Sequence, residues 1–161
     1  MQFSASEKIS APIEQVFRAC TDFETYAQMA QDHGASVSRS DQMRAPGAGM
    51  GWSIGFRLRG RNRKVEIEMT EFAPPRGFTA TSVSGGLDTV VLLDLARTSS
   101  GQTRVTAAVD ATARTMPAKI VLQSLKLVRG RLQKRFARRF AQFIRRIEAD
   151  WRRDMARQAT E

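Results

Sequence analysis

From Ala35 to Ala113 apolar residues recur at about every second position, and after Pro117 they recur at every third or fourth. This change of period constrains the fold more than any other feature. A period of two belongs to strands with one buried face, and a period near 3.6 to a helix with one buried stripe. Gly, Pro and Asn positions divide the first region into about six strands joined by short turns. The clearest pair is Trp52 to Leu58 and Val65 to Met69, with a turn at Gly60-Arg61-Asn62. Trp52, Ile54, Phe56 and Leu58 then share one face with Val65, Ile67 and Met69, and Arg57 and Glu66 are expected near each other on the other. Pro74-Pro75-Arg76-Gly77, Gly85-Gly86 and Ser99-Ser100-Gly101 separate later strands around Phe78 to Val83, Leu87 to Thr98 and Thr103 to Ala113.

In the helical region Leu125, Val128, Leu132, Phe136, Phe140, Phe143, Ile144, Ile147 and Trp151 fall on one stripe. A helix of about 30 residues spans on the order of 45 Å. Gly130 is the expected place for a kink, and the turns beyond Trp151 are expected to project or fray. At the other end of the chain, residues 2–9 read as a strand with Phe3, Ala5 and Ile9 on one side. Ser10 is placed to cap a helix that Pro12 enters and that carries Val16, Phe17 and Cys20 on one face. Asp22 is placed to cap a second helix, Phe23 to Ala30, closed by Asp32-His33-Gly34. The order is strand, two short helices, about six strands and a long helix. This is an α+β chain, expected to form a single domain over residues 1–161, whose apolar sheet face must be covered by the final helix.

Residue counts limit the chemistry. Cys20 is the only cysteine and His33 the only histidine, whereas a His/Cys metal site needs several such ligands and an activated nucleophile needs a placed base. A Cys20/His33 dyad remains formally open, against the reading of Cys20 as core on its helix face. Glu66 and Glu68 alternate with apolar neighbours and are expected in water. Asp94 shares its parity with Val90 and Leu92, and is either solvent-facing beside an Arg or a buried acid at a cavity end. No catalytic residue, metal or cofactor is assigned. No stretch of 18 apolar residues and no basic start followed by an apolar run is present, so the chain is expected to be soluble and cytoplasmic.

The net charge of +10 is concentrated in one place. Residues 119–157 hold 13 Lys/Arg and 3 Asp/Glu, while residues 1–118 hold 13 and 12. The cations, from Lys126 through Arg131, Lys134, Arg135, Arg138, Arg139, Arg145 and Arg146, lie opposite the apolar stripe. A solvated face, attraction to anionic lipid head groups and binding of nucleic acid are the three readings. The last lacks any accompanying zinc-finger, recognition-helix or aromatic RNA-binding motif.

Ile9-Ser-Ala-Pro-Ile-Glu-Gln-Val-Phe17, Thr21-Asp22-Phe23-Glu-Thr-Tyr26, Gly51-Trp52, Pro74-Pro75 and the closing amphipathic helix resemble the START-like (SRPBCC) superfamily. That group includes polyketide cyclase/dehydrase-like proteins, coenzyme Q-binding proteins and Bet v 1-like plant proteins. The resemblance covers roughly residues 2–150 and is diffuse, so it speaks to fold more than to activity. It implies a helix-grip fold, in which a curved antiparallel sheet of about seven strands wraps around the long C-terminal helix and leaves an apolar cavity between them.

On this reading Trp52, Ile54, Phe56, Val65, Ile67 and Met69 of the sheet and Leu132, Phe136 and Phe140 of the helix are the candidate pocket wall. The alternative is that they pack together as core. Tyr26 and Trp52 each join an apolar body to a polar tip that orients a ligand or else sits in water at a boundary. Three functions follow. The first is binding or transport of a small hydrophobic lipid-, quinone- or polyketide-like ligand. The second is a polyketide cyclase/dehydrase-like enzyme, and the third an interaction module using the basic helix on an acidic partner or membrane surface. The oligomeric state is open.

Overall fold

β1 (Gln2–Ile9) leads into two short helices, α1 (Ile13–Cys20) and α2 (Phe23–Asp32). Six strands follow: β2 (Ser36–Arg39), β3 (Gly51–Leu58), β4 (Arg61–Ala73), β5 (Gly77–Ser84), β6 (Leu87–Ser99) and β7 (Gln102–Ala113). Two helices, α3 (Met116–Lys126) and α4 (Arg129–Ala159), complete this computed structural model, which describes residues 1–99 and 101–161. Ser100, in the turn read between β6 and β7, lies outside the described residues. The strands form one antiparallel sheet in the order β1-β7-β6-β5-β4-β3-β2. The sheet is curved and open, with register shifts between Met69 and Glu71 of β4 and between Arg97 and Ser99 of β6. Such shifts bend a strand locally.

Local chemistry accounts for most element ends. The Asp22 carboxylate accepts from the Thr25 backbone N–H and hydroxyl, at 3.4 and 2.7 Å, and caps α2 as expected. Thr115 caps α3 in the same way, accepting from the Ala118 N–H at 3.3 Å. Gly77 has no alternative: a Cβ there would stand 1.9 Å from the Leu93 carbonyl oxygen of the neighbouring strand.

Four details differ from the sequence reading. Ser10 does not cap α1. The cap position is Pro12, and the Ser10 N–H donates instead to Glu148 of α4 at 2.9 Å. The β3–β4 turn is Arg59-Gly60, both with positive φ, and Arg61 already belongs to β4. A two-residue turn of this kind fixes the register, so Arg57 faces Asn62 and Glu66 faces Ser53, whose hydroxyl donates to Glu66 at 2.9 Å. Arg57 and Glu66 therefore do not meet.

The fourth difference is the break between α3 and α4, which falls at Leu127-Val128 before Gly130. Val128 leaves the helical region, with φ −114° and ψ 21°. The cause lies in the two helices' different footings. α3 packs on β7 through buried Ala118 and Leu122, whereas α4 lies along β1, so the chain must turn between them. Gly130 sits in the first turn of α4, with open space where a side chain would stand. Val128 is consequently exposed at the elbow, and the buried stripe begins after it. Beyond Trp151, α4 runs on as exposed helix to Ala159. Among the described residues, no helix is long and apolar enough to cross a membrane.

Candidate functional site

The inner face of the sheet divides into a filled part and an open part. Over β1, β6 and β7, one face of α1 and the stripe of α4 close on the strands. Val16 and Val105 are wholly buried, and Ile9, Leu95 and Ile144 nearly so. Thr103 is the one polar residue buried there, and its hydroxyl donates to the Ala11 carbonyl at 2.8 Å. At the β1 edge the Gln133 side chain accepts from the Ser4 N–H at 3.3 Å and donates to the Ser4 carbonyl at 2.7 Å. These bonds hold the first turns of α4 to the edge strand.

Toward β3 and β4 the inner face is less covered. Trp52 pairs with Ile67, Ile54 with Val65 and Met69 with Ala80, so these side chains share one face. Trp52 and Met69 are packed in a second small cluster beneath Phe23 of α2, with the Phe23 and Trp52 rings 5.1 Å apart. The Arg39 guanidinium lies 5.4 Å from the centre of the Trp52 ring. Ile54, Phe56, Val65 and Ile67 are only half-buried, although they point to the side the helices occupy. On α4, Phe140 is buried, while Phe136 and Leu132 keep part of their surface free. Phe136 lies 6.3 Å from Phe3 of β1 and stacks on Phe140 at 6.5 Å.

The register also shows inner-face residues that the sequence reading did not name. Ile67 pairs with Ser82, Ser82 with Thr89 and Thr89 with Ala111, a row running across four strands. The next row is Met69, Ala80, Val91, Val109 and Phe3. Ser82 and Thr89 are half-buried and place two hydroxyls beside Ile67. Counting outward from the Gly85-Gly86 turn would have found them, since that turn sets the β5–β6 register.

Tyr26 stands apart from the other candidates. Its ring packs 5.8 Å from Phe143, in an open hollow of about 660 Å³ between α1, α2 and α4 that Met29, Trp151 and Arg146 also line. Its hydroxyl donates to the Ala19 carbonyl at 2.5 Å, and burial raises its pKa. A second hollow, of about 610 Å³, lies on the convex side where Arg129 and Gln133 pass the β1 edge beside Val90, Leu92 and Ala108.

The candidate acid–base groups stand away from the inner face of β3 and β4, where Arg39, over Trp52, and Arg63, opposite Phe56, are the ionisable side chains. Cys20 is core, its thiol pushed up to about 12 by burial, which disfavours a thiolate. The His33 ring is exposed, with Nδ1 2.8 Å from the Met29 carbonyl oxygen. Asp94, Glu66 and Glu68 are exposed on the convex face. Among the described residues no group of three His, Cys, Asp or Glu side chains is placed to hold a metal ion.

A curved antiparallel sheet gripped by a long C-terminal helix, with two short helices after the first strand, is a helix-grip fold. The chain belongs to the polyketide cyclase/dehydrase and lipid transport family, whose model matches residues 1–148. Among solved structures it is similar to a protein of Thermus thermophilus, with 18% identity, 93% of this chain and 99% of that one covered and a TM-score of 0.64. It is similar to Ara h 8.0201 at 12% identity, covering 92% and 95% of the two chains with a TM-score of 0.59. It is also similar to the Zhui aromatase/cyclase from Streptomyces sp. R1128 at 11% identity, covering 71% and 69% with a TM-score of 0.55. At these identities the likeness is one of fold. No curated protein matches the chain.

Proposed function

We propose that this protein binds a small hydrophobic molecule of lipid-, quinone- or polyketide-like character against the concave side of its sheet. The observation that carries this reading is the half-burial of Ile54, Phe56, Val65 and Ile67 on the face that an α+β domain of this kind ordinarily fills. Leu132 and Phe136 of α4 supply the opposing apolar surface, and Ser82 and Thr89 supply hydroxyls that orient a polar end of the ligand. The family's association with lipid transport supports the same chemistry. Of the groups whose proton affinities are shifted, Cys20, Tyr26 and Glu66 stand off this surface, and the Arg39–Asp41 pair beside Trp52 is locked in its charged form. That placement favours binding over acid–base catalysis, which needs a tuned group within hydrogen-bond reach of the substrate.

The energetics are sufficient. Covering about 400 Å² of apolar ligand surface contributes about 10 kcal/mol. A cost of association of about 4 kcal/mol or more leaves a dissociation constant on the order of tens of micromolar. Native mass spectrometry of protein purified from its own host without organic solvent tests the reading. A stoichiometric apolar adduct, absent from a folded Phe56→Glu variant, is the expected result. An adduct-free protein that takes up no hydrophobic fluorescent probe would overturn it.

A further inference from the structure

α3 is apolar on two sides, and only one of them is covered. Ala118 and Leu122 are buried toward β7, while Met116, Ile120 and Val121 on the far side are 66%, 61% and 55% exposed. The elbow continues this surface, with Leu127 88% exposed and Val128 beside it. An amphipathic surface helix normally turns charge outward. Here the outward side is apolar, and exposed Lys119, Lys126, Arg129, Arg131 and Lys134 surround it. Between Asp110 and Glu148 the sequence carries 11 Lys/Arg and no Asp or Glu. Asp110 itself is engaged by the N-terminal ammonium at 3.7 Å.

We infer that α3 and the α3–α4 elbow form a docking surface for an anionic lipid bilayer, with Leu127, Ile120 and Val121 entering the head-group region and the surrounding cations meeting phosphates. The charge pattern selects this occupant. A second copy seated on the same surface would bring two sets of uncompensated cations together. A nucleic acid would satisfy the cations and leave the apolar residues in water. A bilayer with anionic lipids matches both. This surface lies outside the proposed ligand-binding residues, so it stands or falls independently of that reading.

Co-sedimentation of the full chain with phosphatidylcholine vesicles, with and without about one third phosphatidylserine, tests the inference at about 0.1 M salt, where screening acts over about 10 Å. The expected result is binding to the anionic vesicles that weakens in high salt, and little binding to the neutral ones. Leu127→Glu and Ile120→Glu should each lower the partition coefficient by about tenfold or more, with unchanged melting. Should either variant fold poorly, replacing Lys119, Lys126 and Arg131 together by Gln should weaken binding while leaving the apolar surface in place. Absence of binding to anionic vesicles, or binding indifferent to Leu127→Glu, overturns the inference. So does a self-association that Leu127→Glu abolishes without vesicle binding, which assigns the surface to a second copy. Retention of nucleic acid without vesicle binding assigns the cations elsewhere and overturns it as well.

Discussion

In β6 and β7, Leu95 and Val105 are 3% and 0% exposed, whereas in β3 and β4 Ile54, Val65 and Ile67 are only half-buried on the same side of the same sheet. All five sit in the same apolar–polar alternation. What separates them is where the helices lie: α1 packs on β6 and β7, and α4, held by its Gln133 bonds and its Phe136–Phe3 contact, runs along β1. A period of two states which side of a strand faces inward; it does not state whether anything fills that side. In this protein the unfilled part is where a ligand is proposed to bind.

The largest expected effect lies in the filled part. Ile144→Ala should cost about 2–5 kcal/mol in urea unfolding, because a buried side chain is removed from a packed site. Ile67→Ala in the open part should cost about 1 kcal/mol or less. Equal losses at the two sites would break the comparison. Thr103→Val should cost about 1–3 kcal/mol, since the Ala11 carbonyl would be left buried without a donor.

A smaller, pH-dependent contribution is expected from Asp41, which ties the long β2–β3 connection into the open end. Its carboxylate accepts from the Arg39 side chain, from the Met43 N–H at 2.9 Å and from the Gly51 N–H at 2.8 Å, and these donors hold its pKa below the usual range, the Arg39 contact most strongly. Because the folded value is depressed, the stabilisation is complete above the unfolded value of about 3.9 and is lost as pH falls through the folded one. Unfolding of wild type and Asp41→Asn should therefore differ at neutral pH and converge in strong acid. The smallest effect is expected on the convex face, where Leu92→Thr should change stability by no more than about 0.5 kcal/mol.

The sequence made the sheet, the two early helices and the Asp22 cap legible, because each rests on local periodicity or on a side chain within a few positions of the group it caps. It also placed Ile54, Val65 and Ile67 on one face, which required only parity within a hairpin. Ser82, Thr89 and Val91 required the register of successive hairpins and were missed. The α3–α4 elbow, expected at Gly130, falls instead at Leu127-Val128, for a different reason. Leu125, Val128 and Leu132 continue a helical spacing, and only the separate packing of α3 on β7 and α4 on β1 forces the turn at Leu127-Val128. Tyr26 is read with Trp52 as a ligand-orienting residue for its apolar body and polar tip, yet α2 presents it to Phe143 and the Ala19 carbonyl.

The most direct measurement is titration of a hydrophobic fluorescent probe into wild type, Ile67→Glu and Leu92→Glu, with circular dichroism as the control for folding. The account predicts saturable binding by wild type and Leu92→Glu, and loss of about tenfold or more in affinity for folded Ile67→Glu, because the charge is placed on the concave face only in the last. Equal binding by all three proteins would contradict a concave apolar site.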